Sequence, residues 1–235
     1  MKRILTLLPT ALICVNEEEK DAYLTVVPKE RLICHHLTGL AYIREWLNRH
    51  IQEDCLVMID DDLRAIWWVV GEPRRYTDPR AIMEVIENTH QVACDLSFNV
   101  FTWSRSVKGL NPEYDPIKFC APIGGSLGLR GAARNRAFDV TLPGRADADF
   151  TLQTVLEDRI LLGDVRVYFD FGRCFSGAGG NSGLITDEQF ALTTKILKER
   201  WGPYIEFKPR SDKRKRNSEA YRIVVTRRNP VITQH

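Results

Sequence analysis

Short apolar runs alternate with segments of helical periodicity along the chain. An apolar run bounded by polar residues predicts a strand, and apolar positions three and four apart predict an amphipathic helix. The predicted strands are 12–15, 31–34, 55–59, 63–70, 97–103 and 165–171, and the predicted helices are 38–50, 79–94, 150–162 and 187–201. This alternation is typical of strands joined by crossover helices. We therefore predict an α/β fold with a mixed, mainly parallel sheet flanked by helices.

The helix predicted over 38–50 follows the second strand. Leu40, Ile43 and Leu47 lie on one of its faces, which is expected to pack against the sheet. Thr38 is suited to cap its first turn.

The run Cys55–Ile59 is apolar throughout and ends in Asp60, Asp61 and Asp62. Such a run predicts a strand buried on both faces, and ligands bind at the carboxyl ends of strands in open α/β sheets. Adjacent carboxylates repel one another unless a cation compensates. In an extended backbone Asp60 and Asp62 point to one side, so both would reach one Mg²⁺ or Mn²⁺ and a diphosphate. A solvated acidic turn is the alternative.

A second acidic pair, Asp147 and Asp149, precedes the helix predicted over 150–162. An aspartate near a helix N-terminus is often only a cap. A carboxylate facing the first acidic cluster would instead act as a general base or steady a reacting oxygen. The residues alone leave both interpretations open.

The segment GGSLGLRGAARNR, residues 124–136, combines glycines with Ser126, Arg130, Arg134 and Arg136. Glycine lets a backbone approach a ligand closely, and arginine pairs with phosphate through two hydrogen bonds. The segment lacks the GK[ST] ending of a P-loop. We expect a loop that binds phosphate or an acceptor, with a solvated basic loop as the alternative.

Charge is balanced overall but not along the chain. The 33 Lys and Arg nearly cancel the 31 Asp and Glu, giving a net charge of +2, whereas residues 208–228 are strongly basic. Their core, KPRSDKRKR at 208–216, contains Lys213, Arg214, Lys215 and Arg216. Such a run suits electrostatic contact with nucleic acid, although most charge runs are solvated surface.

Length and composition favour one domain over 1–235. The six scattered cysteines form no CxxC pair, which argues against a zinc ribbon or a compact disulfide framework. No apolar run approaches the roughly 20 residues that span a bilayer, and no signal peptide is apparent at the N-terminus. We expect a cytoplasmic protein with reduced thiols and no membrane partner.

Several motifs, in this order, resemble the TET-associated glycosyltransferases of bacteriophages, a family with a GT-A-like (Rossmann-like) fold. The resemblance runs through most of the chain. Its motifs are ICVNEEEKDAY at 13–23, TGLAYIREWL at 38–47, VMIDDDL at 57–63, GGSLGLRGAARNR at 124–136, DADFTLQTVL at 147–156 and GNSGL at 180–184.

The resemblance implies transfer of a sugar from a nucleotide-sugar donor, such as UDP-glucose, to the hydroxyl of a modified pyrimidine in phage DNA. The expected acceptor base is 5-hydroxymethylcytosine, and the expected cofactor is Mn²⁺ or Mg²⁺. Residues from about 1 to 103 would form the donor and metal half. Residues from about 104 to 235 would form the acceptor half with the basic C-terminal segment.

The resemblance also implies roles for individual residues. Asp60 and Asp62 match the Asp-X-Asp element that holds the metal and the donor diphosphate, with Asp61 between them. Arg44 and Gly39 would contact the donor. Asp147 or Asp149 matches the acidic pair that deprotonates the acceptor hydroxyl in an inverting mechanism. The expected acceptor and DNA contacts are Ser126, Arg130, Arg134, Arg136, Lys213, Arg214, Lys215 and Arg216.

One departure from the family concerns the N-terminal region. GT-A proteins normally open with a strand and a polar loop that hold the nucleoside, whereas residues 1–15 look like the segment after it. Either the start is trimmed or residues 3–10 serve the nucleoside differently. Two other functions stay open: a metal-dependent nuclease or phosphotransferase, and a DNA-binding protein whose aspartates are structural.

Overall fold

The computed structural model describes residues 2–105, 112–171, 185–209 and 219–225. Its helices are α1 (Lys2–Leu7), α2 (Lys20–Leu24), α3 (Leu40–His50), α4 (Pro79–Asp95), α5 (Ala146–Glu157) and α6 (Asp187–Trp201). Its strands are β1 (Ile13–Asn16), β2 (Leu32–His35), β3 (Cys55–Ile59), β4 (Leu63–Trp68), β5 (Arg74–Tyr76), β6 (Val100–Ser104), β7 (Ile117–Lys118), β8 (Ser126–Arg130), β9 (Leu162–Phe171), β10 (Ile205–Pro209) and β11 (Glu219–Ile223).

The long helices begin where local capping chemistry predicts. The Asp78 side chain accepts a hydrogen bond from the Arg80 amide at the start of α4. Thr186 and Gln189 form a reciprocal capping box at the start of α6. The predicted bounds of α6 and β3 are confirmed, and those of α4 differ by one residue. By contrast, α5 begins at Ala146, four residues earlier than predicted, so both aspartates of the second pair lie inside its first turn.

The chain forms one large mixed sheet with the strand order β3-β8-β6-β9-β4-β5, and β7 pairs with β9 outside this path. A separate parallel pair is formed by β1 and β2, and a separate hairpin by β10 and β11. In the large sheet β6 and β9 pair in parallel, and the other described pairs are antiparallel. The predicted α/β class and mixed sheet are confirmed.

The expectation of a mainly parallel sheet is corrected by β8. This strand lies between β3 and β6 and is antiparallel to both, so β3 and β6 run in the same direction without pairing. Because β9 is parallel to β6, the carboxyl ends of β3, β6 and β9 all lie at one edge of the sheet. The segment that forms β8 was expected to be a loop.

The large sheet is curled. Only residues 60–62 join β3 to β4, although three strands lie between them in the hydrogen-bonding order. In a flat sheet these strands would be about 19 Å apart. The four residue steps from Ile59 to Leu63 span at most about 14 Å. The sheet therefore curves until β3 and β4 approach each other at the acidic turn.

Three clusters of buried apolar residues hold the fold together. One packs α1 and α4 against the sheet through residues such as Ile82, Phe101 and Trp103. The second joins β8 to α5 through Leu127, Leu129 and Phe150. The third packs α5 and α6 on the hairpin β10–β11.

Helix α3 differs from its predicted amphipathic form. Its two buried residues are polar, Arg44 and Asn48, whereas Leu47 is only partly buried. Asn48 donates hydrogen bonds to the carbonyls of Arg134 and Arg136. The cap is Gly39 with a φ of 101°, and no side chain caps this end. Buried hydrogen-bonding partners on another segment therefore fix this helix, rather than an apolar stripe.

The described part of the chain also shows the state of five cysteines and the character of its helices. Cys14, Cys34, Cys55, Cys94 and Cys120 are free thiols. None of the helices in the described ranges is both long enough and apolar enough to cross a membrane.

Candidate active site

The edge of the sheet where β3, β6 and β9 end carries the candidate site. Asp60, Asp61 and Asp62 follow β3, and Arg105 follows β6. The start of β8 reaches the same edge, where the Asp60 amide donates to the Gly125 carbonyl at 2.7 Å. This is the edge at which open α/β sheets bind ligands.

A buried arginine anchors the first aspartate. Nη2 of Arg44 donates to Oδ1 of Asp60 at 2.8 Å and to the Gly124 carbonyl at 2.7 Å. Arg44 is 5% exposed, and the Asp60 side chain is 29% exposed. Nε of Arg44 is buried with no hydrogen-bond partner among the described residues. Arg44 therefore fixes one oxygen of Asp60 and gives the turn a positive inner wall.

Asp60, Asp61 and Asp62 form a turn, with the Leu63 amide donating to the Asp60 carbonyl at 3.4 Å. The expectation of an extended backbone here is wrong, because the chain must reverse from β3 into β4. Asp61 and Asp62 are exposed. Asp61 also lies close enough to Tyr23 of α2 that its charge raises the pKa of that phenol, after burial and Glu19.

The three carboxylates are electrostatically costly together. Burial raises the pKa of Asp60; Arg44 opposes the shift, and Asp61 and Asp147 add to it. Asp62 is exposed as a residue, yet partial shielding of its carboxyl raises its pKa, and Asp60 and Asp61 raise it further. Such an arrangement favours a divalent cation, which removes the repulsion without protonating the acids.

These raised pKa values predict how stability depends on pH. A carboxyl with a higher pKa in the folded state binds protons more tightly there, so the free energy of unfolding falls as pH rises from about 4 through the raised value. We expect Asp62→Asn to remove part of this loss. Its melting temperature relative to the unsubstituted chain should rise with pH between about 4 and 7 in metal-free buffer. Parallel melting curves across that range would contradict the repulsion.

The second acidic pair is divided between the site and the core. Asp147 is half-buried, and its charge contributes to the raised pKa of Asp60. Oδ1 of Asp147 accepts a hydrogen bond from the Ala148 amide at 2.9 Å, and the Tyr221 hydroxyl is close enough to feel the Asp147 charge. Burial raises the pKa of Tyr221, and the Asp147 charge raises it further, so this hydroxyl stays protonated as a donor. Asp147 therefore lies within electrostatic range of Asp60.

Asp149 has structural contacts instead. Its side chain is fully buried and accepts from Arg200 at 2.8 Å, from Trp201 Nε1 at 2.7 Å and from Gln153 at 2.6 Å. These bonds tie α5 to the end of α6. Of the two aspartates left open by the sequence, Asp147 is the one near Asp60.

Much of the glycine- and arginine-rich segment forms a strand, where a loop was expected. Residues 126–130 form β8, with Leu127 and Leu129 fully buried. Ser126 is fully buried as well, and its hydroxyl has no partner within the described ranges. Arg130 donates to the Phe98 carbonyl at 3.0 Å. The expectation that Ser126 and Arg130 contact the acceptor is therefore wrong for Ser126, which no acceptor can reach, and Arg130 has an internal partner.

Arg134 and Arg136 also make internal contacts. Arg134 donates to the Asn48 side chain and to the Ile51 carbonyl at the end of α3. Arg136 is 9% exposed and pairs with Glu157 and Asp158 at the C-terminal end of α5. Both guanidinium groups therefore bind polar groups at the C-terminal ends of α3 and α5 instead of forming an exposed surface for DNA. Lys213, Arg214, Lys215 and Arg216, and the motif at 180–184, lie outside the described residues.

Sequence reasoning did not identify Tyr23, Arg105 or Tyr221. They come from three elements far apart in the chain, and only the fold brings them near the aspartates. No local pattern marks them. Gly39, which is expected to contact the donor, lies at the N-terminal cap of α3, five residues before Arg44.

The carboxylates of the acidic turn can be compared with the ligands that a divalent metal requires. Across the described ranges, no three His, Cys, Asp or Glu side chains converge into a metal site by themselves. Mg²⁺ commonly uses one or two carboxylates and completes its shell with substrate phosphates and water. Asp60 and Asp62, which both have raised pKa values, provide the hard oxygen ligands and the excess negative charge that such binding requires. The turn therefore fits a metal shared with a ligand.

In comparisons with known proteins, no protein-family model matches the chain, and no curated protein matches it either.

Proposed function

We propose that this chain is a metal-dependent glycosyltransferase with a GT-A-like fold that moves a sugar from a nucleotide-sugar to a hydroxymethylated pyrimidine in DNA. The observation that carries the proposal is the nearness of two acidic groups from distant segments. The turn Asp60–Asp62 follows β3 and Asp147 lies in the first turn of α5, yet the charges of Asp60 and Asp147 interact. In an inverting, metal-dependent transfer, carboxylates hold the metal on the donor side and accept the proton on the acceptor side.

The turn is the donor side of the proposed site. Asp60 and Asp62 would hold Mn²⁺ or Mg²⁺, which, when bound, neutralises charge on the departing diphosphate. Arg44 keeps Asp60 oriented through its 2.8 Å ion pair. The UDP-sugar donor follows from the resemblance to the phage glycosyltransferases.

Asp147 is the proposed general base on the acceptor side. The acceptor hydroxyl oxygen bonds to the anomeric carbon of the sugar while its proton moves to the Asp147 carboxylate. The bond between that carbon and the diphosphate oxygen breaks, and the diphosphate leaves with the electron pair. The Ala148 amide donates to Oδ1 of Asp147 at 2.9 Å, so one carboxylate oxygen is held in place before the acceptor arrives. The acceptor base, 5-hydroxymethylcytosine, also follows from the resemblance.

An assay of treated DNA tests this function directly. The purified chain, Mn²⁺ and a panel of UDP-sugars are incubated with single- and double-stranded DNA that contains 5-hydroxymethylcytosine. We expect mass spectrometry to detect a hexose-sized addition on the modified base, with DNA of unmodified cytosine as the control. No addition with any donor, by a folded protein, contradicts the proposal. Strand cleavage without a sugar donor would instead favour the nuclease.

A further inference from the structure

Arg105 lies at the same edge as the acidic turn but has no role in the function proposed above. It directly follows β6, one of the three strands whose carboxyl ends share this edge. Its side chain is exposed. Because arginine presents several donors in a planar fork, an exposed arginine at a ligand-binding edge is suited to phosphate oxygens.

Gly124 allows the Arg105 side chain to lie flat against the backbone. A Cβ at Gly124 would stand 2.2 Å from both Cδ and Nη1 of Arg105, and the three heavy atoms nearest to it all belong to Arg105. The carbonyl of the same glycine accepts from Arg44 at 2.7 Å. Two guanidinium groups from separate elements therefore contact one residue at the start of β8.

The position of Arg105 is also close to the acceptor side. The charges of Arg105 and Asp147 act on the same hydroxyl, Tyr221, which Arg105 makes more acidic and Asp147 less acidic. Arg105 is thus close to the Asp147–Tyr221 pair as well as to the Gly124 segment beside Asp60. Arg105 therefore lies in the same region as both acidic groups, where a ligand bound to both would carry its negative charge.

We propose that Arg105 is a phosphate-binding residue that contacts a phosphate oxygen of the ligand at this edge. The inference deepens the proposed function and rests on it for the identity of the ligand. The phosphate is either the diphosphate of the donor or a backbone phosphate of the acceptor DNA. In both cases the guanidinium donates hydrogen bonds to an anion that the carboxylates alone would repel.

Calorimetric titration of the full chain with pyrophosphate, UDP and a DNA oligonucleotide, each with Mg²⁺, tests this without requiring sugar transfer. We expect Arg105→Gln to weaken binding of pyrophosphate by about tenfold or more. Gly124→Ala should weaken it in the same direction, because the added methyl displaces the Arg105 side chain without changing any charge. Arg159→Gln is the matched control, since Arg159 is an exposed arginine beyond the opposite end of α5 from Asp147.

The three ligands separate the two sources of phosphate. If Arg105→Gln loses affinity for pyrophosphate and UDP but not for DNA, Arg105 contacts the donor diphosphate. If it loses affinity for DNA alone, Arg105 contacts the backbone of the acceptor. Equal affinities of Arg105→Gln and the unsubstituted chain for all three ligands overturn the proposal, as does an absence of binding by the unsubstituted chain. Intact phosphate binding without sugar transfer would contradict only the proposed function.

Discussion

Asp62→Asn is expected to reduce sugar transfer by roughly 10²–10³-fold while the protein stays folded, the range seen when a group that stabilises developing charge is removed. Asp62 is exposed as a residue and belongs to the acidic turn, where partial burial of its carboxyl and then the neighbouring carboxylates raise its pKa. Removing its charge therefore relieves repulsion at the same time as it weakens the metal and diphosphate site. Initial rates and melting temperatures of the same preparation give both quantities.

The matched control is Asp54→Asn. Asp54 is an exposed aspartate just before β3, whereas Asp62 lies just after it, so the two substitutions make the same chemical change at opposite ends of one strand. We expect Asp54→Asn to leave the transfer rate unchanged. Mn²⁺ should raise the melting temperature of the unsubstituted chain and of Asp54→Asn, but not of Asp62→Asn. If Asp62→Asn transferred sugar at a tenth of the normal rate or more, Asp62 would not be a metal ligand.

Asp60 is a poorer residue for this experiment because it has two roles. Its carboxylate is the charged partner of Arg44, which is 5% exposed. An uncompensated buried guanidinium is destabilising by about 3 kcal/mol or more, with some relief here because Asp60 itself is partly exposed. Loss of activity in an Asp60 variant would therefore combine unfolding with loss of a metal ligand.

Local signals explain which elements the sequence predicted well. The predicted start of α6 agrees with the structure because Thr186 and Gln189, three residues apart at the start of the helix, form its capping box. Strand β3 agrees because an unbroken apolar run and the following aspartates mark both of its ends. For these elements the information that determines the structure lies within a few residues of the element.

The strand β8 was missed because its composition resembles a loop. Serine, glycine and arginine at 126, 128 and 130 conceal the alternation of Leu127 and Leu129, both of which are fully buried. The period of two was the signal available in the sequence. Close packing explains why position 128 is a glycine, since a Cβ there would stand 2.0 Å from the Phe101 ring.

The partners of charged residues were not predictable from local pattern. Arg136 pairs with Asp158, which is 22 residues away, and Arg44 donates to the Gly124 carbonyl, which is 80 residues away. A sequence does not distinguish an arginine that binds DNA from one that binds polar groups at the end of a helix. Only the fold separates them, and the same holds for the nearness of Asp147 to Asp60.

The two aspartates of α5 provide the sharpest test of the base, because they are two positions apart on one helix and in opposite surroundings. Asp147→Asn is expected to lower the transfer rate by roughly 10²–10⁴-fold, the contribution typical of a positioned general base. Its melting temperature should change little, since the residue is half-buried and an amide oxygen still accepts from the Ala148 amide.

Asp149→Asn should have the opposite effect. The carboxylate is fully buried, and it accepts from Arg200 at 2.8 Å and from Trp201 at 2.7 Å, so its neutralisation is expected to lower the free energy of unfolding by about 3 kcal/mol. The transfer rate per folded molecule should stay within a few-fold of normal. We therefore expect initial rates to fall for Asp147→Asn alone, and denaturant titration to show lower stability for Asp149→Asn alone. Equal loss of activity in the two variants at equal stability would mean that α5 positions the acceptor as a whole, and Asp147 would lose its role as the base.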